Sequence, residues 1–169
     1  MINIRKAEEK DAYDYATILN QSWKDTYGEY ISFEHIDDEF NIEKLVNCFS
    51  KYITNNDFEL YMLEYGNKVV GIMELGVPDE IYKDDMTDIG EARTLHIKKD
   101  YHNLGIGSKA EEFMYARLKE LGYKRVCTWI KKKNRKSIEF HKKRGFVETK
   151  YTCENPSDGA PSFIMEKDL

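Results

Sequence analysis

Two segments of the chain combine residue types that can do chemistry with a spacing that would aim them together. The first is His102-Asn103-Leu104-Gly105-Ile106-Gly107-Ser108, a glycine pair between an apolar run and a long helical pattern. Glycine lets backbone approach a ligand closely, and the amides that begin a helix have no internal acceptor, so a diphosphate is the ligand such a loop suits. A glycine turn built only for steric reasons would use the same residues. Two other nucleotide readings fail on spacing. A P-loop needs glycine where His102 stands. A relaxed dinucleotide fingerprint is met by Gly105, Gly107 and Ala110, but the polar stretch 98–104 separates it from its strand, and lysines 131–133 close the next strand where an acid is needed.

The second segment runs from Asn134 to Phe146. At 100° per residue Asn134, Ser137 and His141 fall within about 60° of one another, so a helix here presents an amide, a hydroxyl and an imidazole on one face. That stripe suits a bound ligand, and it equally suits solvent.

The elements that must position these residues are legible from periodicity. Strands are expected at Ile2–Arg5, Phe58–Tyr65, Lys68–Leu75, Ile89–Ile97, Arg125–Ile130, Phe146–Thr152 and Ser162–Lys167, with Gly66-Asn67 as a hairpin turn. Helices are expected at Glu8–Asn20, Ser32–Phe40, Asn41–Ile53, Gly105–Leu121 and Asn134–Arg144. The fourth of these would turn Ala110, Phe113, Met114, Leu118 and Leu121 inward. Val77–Asp88 reads as an acidic loop. Interleaved strands and helices predict an α/β fold of the mixed, α+β kind.

Composition excludes several classes. A chain of 169 residues is one domain in size, and 13% aromatic content argues against disorder. A net charge of −5 opposes a uniformly basic nucleic-acid or membrane-surface protein. Eight basic residues between 131 and 144 remain a local patch, with little aromatic interleaving. Cys48, Cys127 and Cys153 share no paired spacing, so neither a disulfide framework nor a metal site is expected, and a cytoplasmic location fits. No apolar stretch is long enough to span a bilayer. A homodimer is compatible with the chain but nothing in it fixes the oligomeric state.

Together the glycine loop and the Asn134-x-x-Ser137-x-x-Phe140-His141-x-x-x-Gly145-Phe146 helix resemble the GNAT superfamily of N-acetyltransferases. The resemblance extends over roughly residues 58–167 and implies one GNAT-like domain, a mostly antiparallel, splayed sheet of six to seven strands flanked by about four to five helices. It implies acetyl-CoA as co-substrate, with the backbone of Leu95, His96 and Ile97 pairing with pantetheine like an added strand. His102, Asn103, Leu104, Gly105, Ile106, Gly107 and Ser108 would cradle the diphosphate. Asn134, Ser137 and Phe140 would line the pantetheine arm and Lys143 would approach the nucleotide end.

Within the two motifs three positions depart from the family pattern: His102 replaces arginine or glutamine, Asn103 replaces a common glycine, and His141 replaces the tyrosine that protonates the departing thiolate. His141 is expected either as a substitute acid or as a packing residue. The acceptor amine must lose a proton before it attacks, and Glu91, ahead of Glu74 and His96, is the expected base. Family members often carry glutamate where Arg93 stands. Trp23, Tyr27 and Tyr30, with the acids Glu34, Asp37, Asp38 and Glu39 and with Asp79, Glu80, Asp84, Asp85 and Asp88, suggest an acidic, aromatic rim for a small amine or polyamine. A protein or peptide acceptor, and a non-catalytic acyl-CoA-binding module, are the competing readings.

Overall fold

Gly66 and Asn67 both take left-handed backbone, with φ of +57° and +63°, as a two-residue primed turn requires. They join β2 (Phe58–Tyr65) to β3 (Lys68–Gly76) in an antiparallel hairpin. β1 (Ile2–Lys6) lies antiparallel beside β2, and β4 (Ile89–Ile97) antiparallel beside β3. With β5 (Arg125–Lys131), β6 (Val147–Cys153) and β7 (Ser162–Asp168), they form one seven-stranded sheet ordered β1-β2-β3-β4-β5-β7-β6. Only the central β4–β5 pair is parallel. The computed structural model describes residues 1–78, 87–154, 156 and 158–169, so Asp79, Glu80, Asp84 and Asp85 of the expected acidic loop lie outside the described residues.

Five α-helices occur among the described residues: α1 (Ala12–Tyr27), α2 (Phe33–Glu39), α3 (Ile42–Ile53), α4 (Ile106–Glu120) and α5 (Arg135–Lys142). Side-chain oxygens of Ser32, Asn41 and Asn134 accept from backbone amides three residues on, which fixes where α2, α3 and α5 begin. α1 and α3 cover one sheet face, where Tyr15, Ile18, Phe49, Met62 and Ile72 form a core. α4 covers the other, where Ala110, Met114 and Leu118 meet Val70, Met73 and Leu75.

Three expectations change. The predicted first helix splits into a 3₁₀ turn, Glu9–Asp11, and α1, because buried Asp11 is held by both guanidinium nitrogens of Arg5 at 2.7 and 2.8 Å. α1 runs two turns past Asn20, since Trp23 and Tyr27 add buried side chains on its inner face. Leu121, predicted to face inward, is 43% exposed, lying beyond the last residue of α4 just before Gly122 turns the chain with φ of +93°.

One ion cluster ties α4 to the sheet. Arg117 on α4 grips Glu59 on β2 with two hydrogen bonds of 2.8 Å, and Lys6 and Tyr61 also donate to that carboxylate. Bidentate pairing of this kind is geometrically specific. The Arg117 hydrogen bonds, with those of Tyr61 and Lys6, hold the Glu59 carboxyl at a pKa of about 2. A carboxyl depressed in the folded state stabilises it fully above the ordinary carboxylate range and loses that contribution as pH falls toward the depressed value. Urea unfolding between pH 5 and about 2 is therefore expected to show a shallower acid loss in Glu59→Gln than in the parent chain; equal slopes would deny the clamp its role.

Candidate active site

β4 and β5 pair only through Ile89 with Arg125, Gly90 with Val126 and Glu91 with Cys127. Beyond Glu91 the two strands part, and residues 92–97 keep β3 as their neighbour on one side. Register explains how β4 turns its side chains. Glu74 lies opposite Thr94 and Leu75 opposite Ala92, so Arg93 is the extra residue of a bulge. The bulge reverses the alternation and brings Glu91 onto the same sheet face as Thr94 and His96. A cavity of about 790 Å³ fills the gap, bounded by α1, β3, β4, β5 and α5.

The loop after β4 has the backbone that a phosphate cradle needs. Asn103 and Gly105 take left-handed φ of +62° and +75°, and Gly105 passes directly into the right-handed helix α4. That left-to-right alternation turns successive amides toward one point. The amides of Ile106, Gly107 and Ser108 lie in the first helical turn, where no carbonyl precedes them in the helix. A Cβ at Gly105 would meet nothing within 4 Å, and at Gly107 only Ile97 at 3.6 Å, so the ground above the loop is open. His102 is exposed, and its Nε2 donates to the Ile97 carbonyl at 2.8 Å, fastening the loop to the end of β4. These features fit coenzyme A: the unpaired edge of Leu95, His96 and Ile97 for pantetheine, and His102–Ser108 for the diphosphate.

On α5, Asn134 Oδ1 accepts from Ser137 N and its Nδ2 donates to the Tyr27 hydroxyl at 3.2 Å. Asn134, Ser137, Phe140 and His141 all line the cavity. Lys143 is exposed just past the helix end. Nδ1 of His141 lies 2.7 Å from the Ser137 carbonyl; a carbonyl can only accept, so Nδ1 carries the hydrogen and Nε2 is the nitrogen left to titrate. Nε2 is 3.8 Å from Oε1 of Glu111. Burial pushes His141 below the usual histidine value, Arg144 and Lys167 add to that, and the Ser137 carbonyl opposes it.

Buried acids on β3 and β4 also line the cavity. Glu74 is 5% exposed and accepts from the Tyr15 hydroxyl at 3.0 Å. Burial pushes its proton affinity up against the opposing pull of Tyr15 and Arg93. Glu91 is 2% exposed, with the Arg93 guanidinium 3.4 Å away. His96 keeps some surface, yet its ring is desolvated enough to be pushed down to about 4. Trp23 and Tyr27 join the wall, and Tyr30 does not. Two rim acids are engaged elsewhere: Asp37 with Lys24 at 2.6 Å and Asp88 with Arg125 at 2.8 Å. Among the described residues no cluster of three or more His, Cys, Asp and Glu could hold a metal ion, and no helix is long and apolar enough to cross a membrane.

Sequence reasoning missed Glu111, Arg144 and Tyr15. Glu111 sits three and seven residues before Met114 and Leu118 and so falls on the apolar stripe of α4, a placement that periodicity could have flagged.

The chain matches the model of the Acetyltransferase (GNAT) family over residues 15–146, and it belongs to that family. It is 27% identical over 175 residues to a spermidine N(1)-acetyltransferase of Thermoplasma acidophilum, spanning 98% of this chain and 96% of that one. Two solved structures share the fold. The PaiA N-acetyltransferase of Thermoplasma acidophilum in complex with coenzyme A superposes with a TM-score of 0.77 at 23% identity, covering 100% and 99% of the two chains. An acetyltransferase of Thermus thermophilus gives 0.75 at 17% identity, covering 100% and 97%.

Proposed function

We propose that this acetyltransferase moves an acetyl group from acetyl-CoA to a small primary amine, with a polyamine favoured, by direct attack within a ternary complex. The observation that carries the reading is the parting of β4 and β5, which leaves a strand edge open ahead of an amide-rich helix start and borders a cavity lined by two buried carboxylates. The bound coenzyme supplies the activated thioester. The spermidine acetyltransferase relative supports a cationic, flexible acceptor.

The residues divide the work. An alkyl ammonium is attracted to Glu74 and Glu91 and must then give up a proton, since its ordinary pKa is near 10. Glu91 lies where the strands part and takes the base role. Glu74, whose proton affinity burial raises, is a carboxylate able to hold that proton afterwards. His96, pushed down to about 4, is too weak a base for the task. The aromatic walls of Trp23 and Tyr27 suit the methylene chain and charges of a polyamine. Backbone amides of residues 92–97 that point away from β3 can steady developing negative charge on the reacting carbonyl. His141 is the acid candidate for the departing thiolate, and only Nε2 can carry the proton it would give.

Acetylation of a panel of polyamines, amino acids, aminoglycosides and peptides tests the acceptor class. Turnover of spermidine or spermine well above the rest is expected, and turnover of peptides alone would overturn it. Glu91→Gln should lower kcat by about 10²–10⁴-fold, the range for loss of a general base; an unchanged kcat would remove Glu91 from that role. His141→Phe should lower turnover at pH 7.5 even when acetyl-CoA is saturating. Turnover at the parent rate would leave His141 a packing residue.

A further inference from the structure

A chain of polar and charged groups with buried Glu111 at its centre connects the phosphate loop to His141. Arg144, just past α5, donates from Nη2 to the Ser108 hydroxyl at 3.0 Å, in the first turn of α4. Its Nε pairs with Glu111 Oε2 at 2.7 Å, and its guanidinium lies 3.5 Å from the centre of the Phe140 ring. Glu111 is 4% exposed. Its other oxygen accepts from the Tyr115 hydroxyl at 3.0 Å and stands 3.8 Å from His141 Nε2. Glu111 and His141 both border the cavity.

We propose that Glu111 and Arg144 are positioning residues that couple the phosphate loop to His141, so that an anion arriving beside Ser108 is answered by a proton taken up by the Glu111–His141 pair. The inference rests on the coenzyme reading given above, but on different atoms. Arg144 is one cation serving two anionic positions. With only Glu111 to neutralise, it favours an ionised carboxylate beside a neutral imidazole. When a diphosphate draws on the same guanidinium, less positive charge is left for the pair, and added negative charge raises the proton affinity of both members. The proton comes from solvent and ends on Nε2 or on the carboxylate, which lie close enough to share it; no other bond forms or breaks.

The surroundings of the pair agree. His141 meets the Ser137 carbonyl on its own helix, the edges of Phe140 and Phe146, Arg144, and Glu111 from α4. Lys167 on β7 lies 4.1 Å from the Tyr115 ring centre and is the second cation acting on both groups. Burial favours the neutral form of each partner, pushing Glu111 up and His141 down. The two proton affinities are thereby drawn toward each other, and at 3.8 Å a change in nearby charge acts on the pair as a unit. The arrangement would charge Nε2, the nitrogen able to serve a departing thiolate, when the loop is filled.

Calorimetric titration of the full chain with dephospho-CoA tests this without turnover. That ligand keeps the diphosphate and lacks the phosphomonoester whose own second ionisation near 6 would obscure the result. Measured at pH 5.5–7 in two buffers of different ionisation enthalpy, binding should take up protons. Affinity should fall as pH rises, by up to about tenfold per unit for one linked proton. Glu111→Gln and Arg144→Gln should each abolish most of that uptake. In the parent chain, the His141 imidazole resonances should titrate at higher pH with dephospho-CoA bound than without, a readout that stands even if either variant fails to fold. Binding with no proton uptake and an unmoved His141 titration would overturn the coupling alone, as would full uptake in both folded variants. No binding of dephospho-CoA would overturn the coenzyme reading, and the coupling with it.

Discussion

The parting of β4 from β5 is the constraint from which the site follows. Parallel strands gain their stability from an even ladder of hydrogen bonds, and this pair gives up the ladder after three residue pairs. Residues 92–97 therefore keep one edge without a strand, a state that soluble proteins normally cover. Ordinary folding would close that edge. Here the flanking packing holds it open: α4 wedges Met114 and Leu118 against β3 on one face, while α1 and α3 bring Tyr15 and Phe49 against the other. The Arg93 bulge completes the arrangement by aiming Glu91 and Glu74 into the same space.

Charge is organised around this gap. Residues 131–144 sum to +7 and the rest of the chain to −12, which from sequence alone suggests a broad basic end. Half of the eight basic residues in that segment are paired locally. Lys132 pairs with Glu154, Lys142 with Glu148, Lys131 with Asp158 and Arg144 with Glu111, and Lys133 lies over the Tyr30 ring. Arg135, Lys136 and Lys143 are the exposed remainder. In the proposed complex, attraction of the polyanion rests on a few surface cations, while the loop amides and Ser108 supply the directed contacts. The proposed acceptor site gains its character from burial, since carboxylates kept from water attract a cation more strongly than the solvated acids of a rim.

Much of this was legible in the residues. Local signals with a steric cause placed the elements: positive-φ glycine and asparagine at 66, 67 and 145, and the cap at Asn134. The joint pattern of the glycine loop and the α5 face pointed to the cofactor end. Features set by pairing across the sheet were not legible. The bulge at Arg93 depends on which β3 residue lies opposite, and no one-dimensional pattern records that. The engagement of His102 with the Ile97 carbonyl follows from how the loop folds back on β4. Arg144 read as one more member of a basic run, and only its approach to Glu111 from another helix separates it from its neighbours.

In the proposed reaction the open edge of β4 receives the coenzyme. Hydrogen exchange resolved to single amides, with and without coenzyme A, tests it most directly. In an antiparallel pair every second amide of residues 92–97 already bonds to β3, so the account predicts new protection at the alternate amides, together with 105–108, and little change in β1 and β2. Binding of coenzyme A that leaves those amides exchanging as before would contradict it.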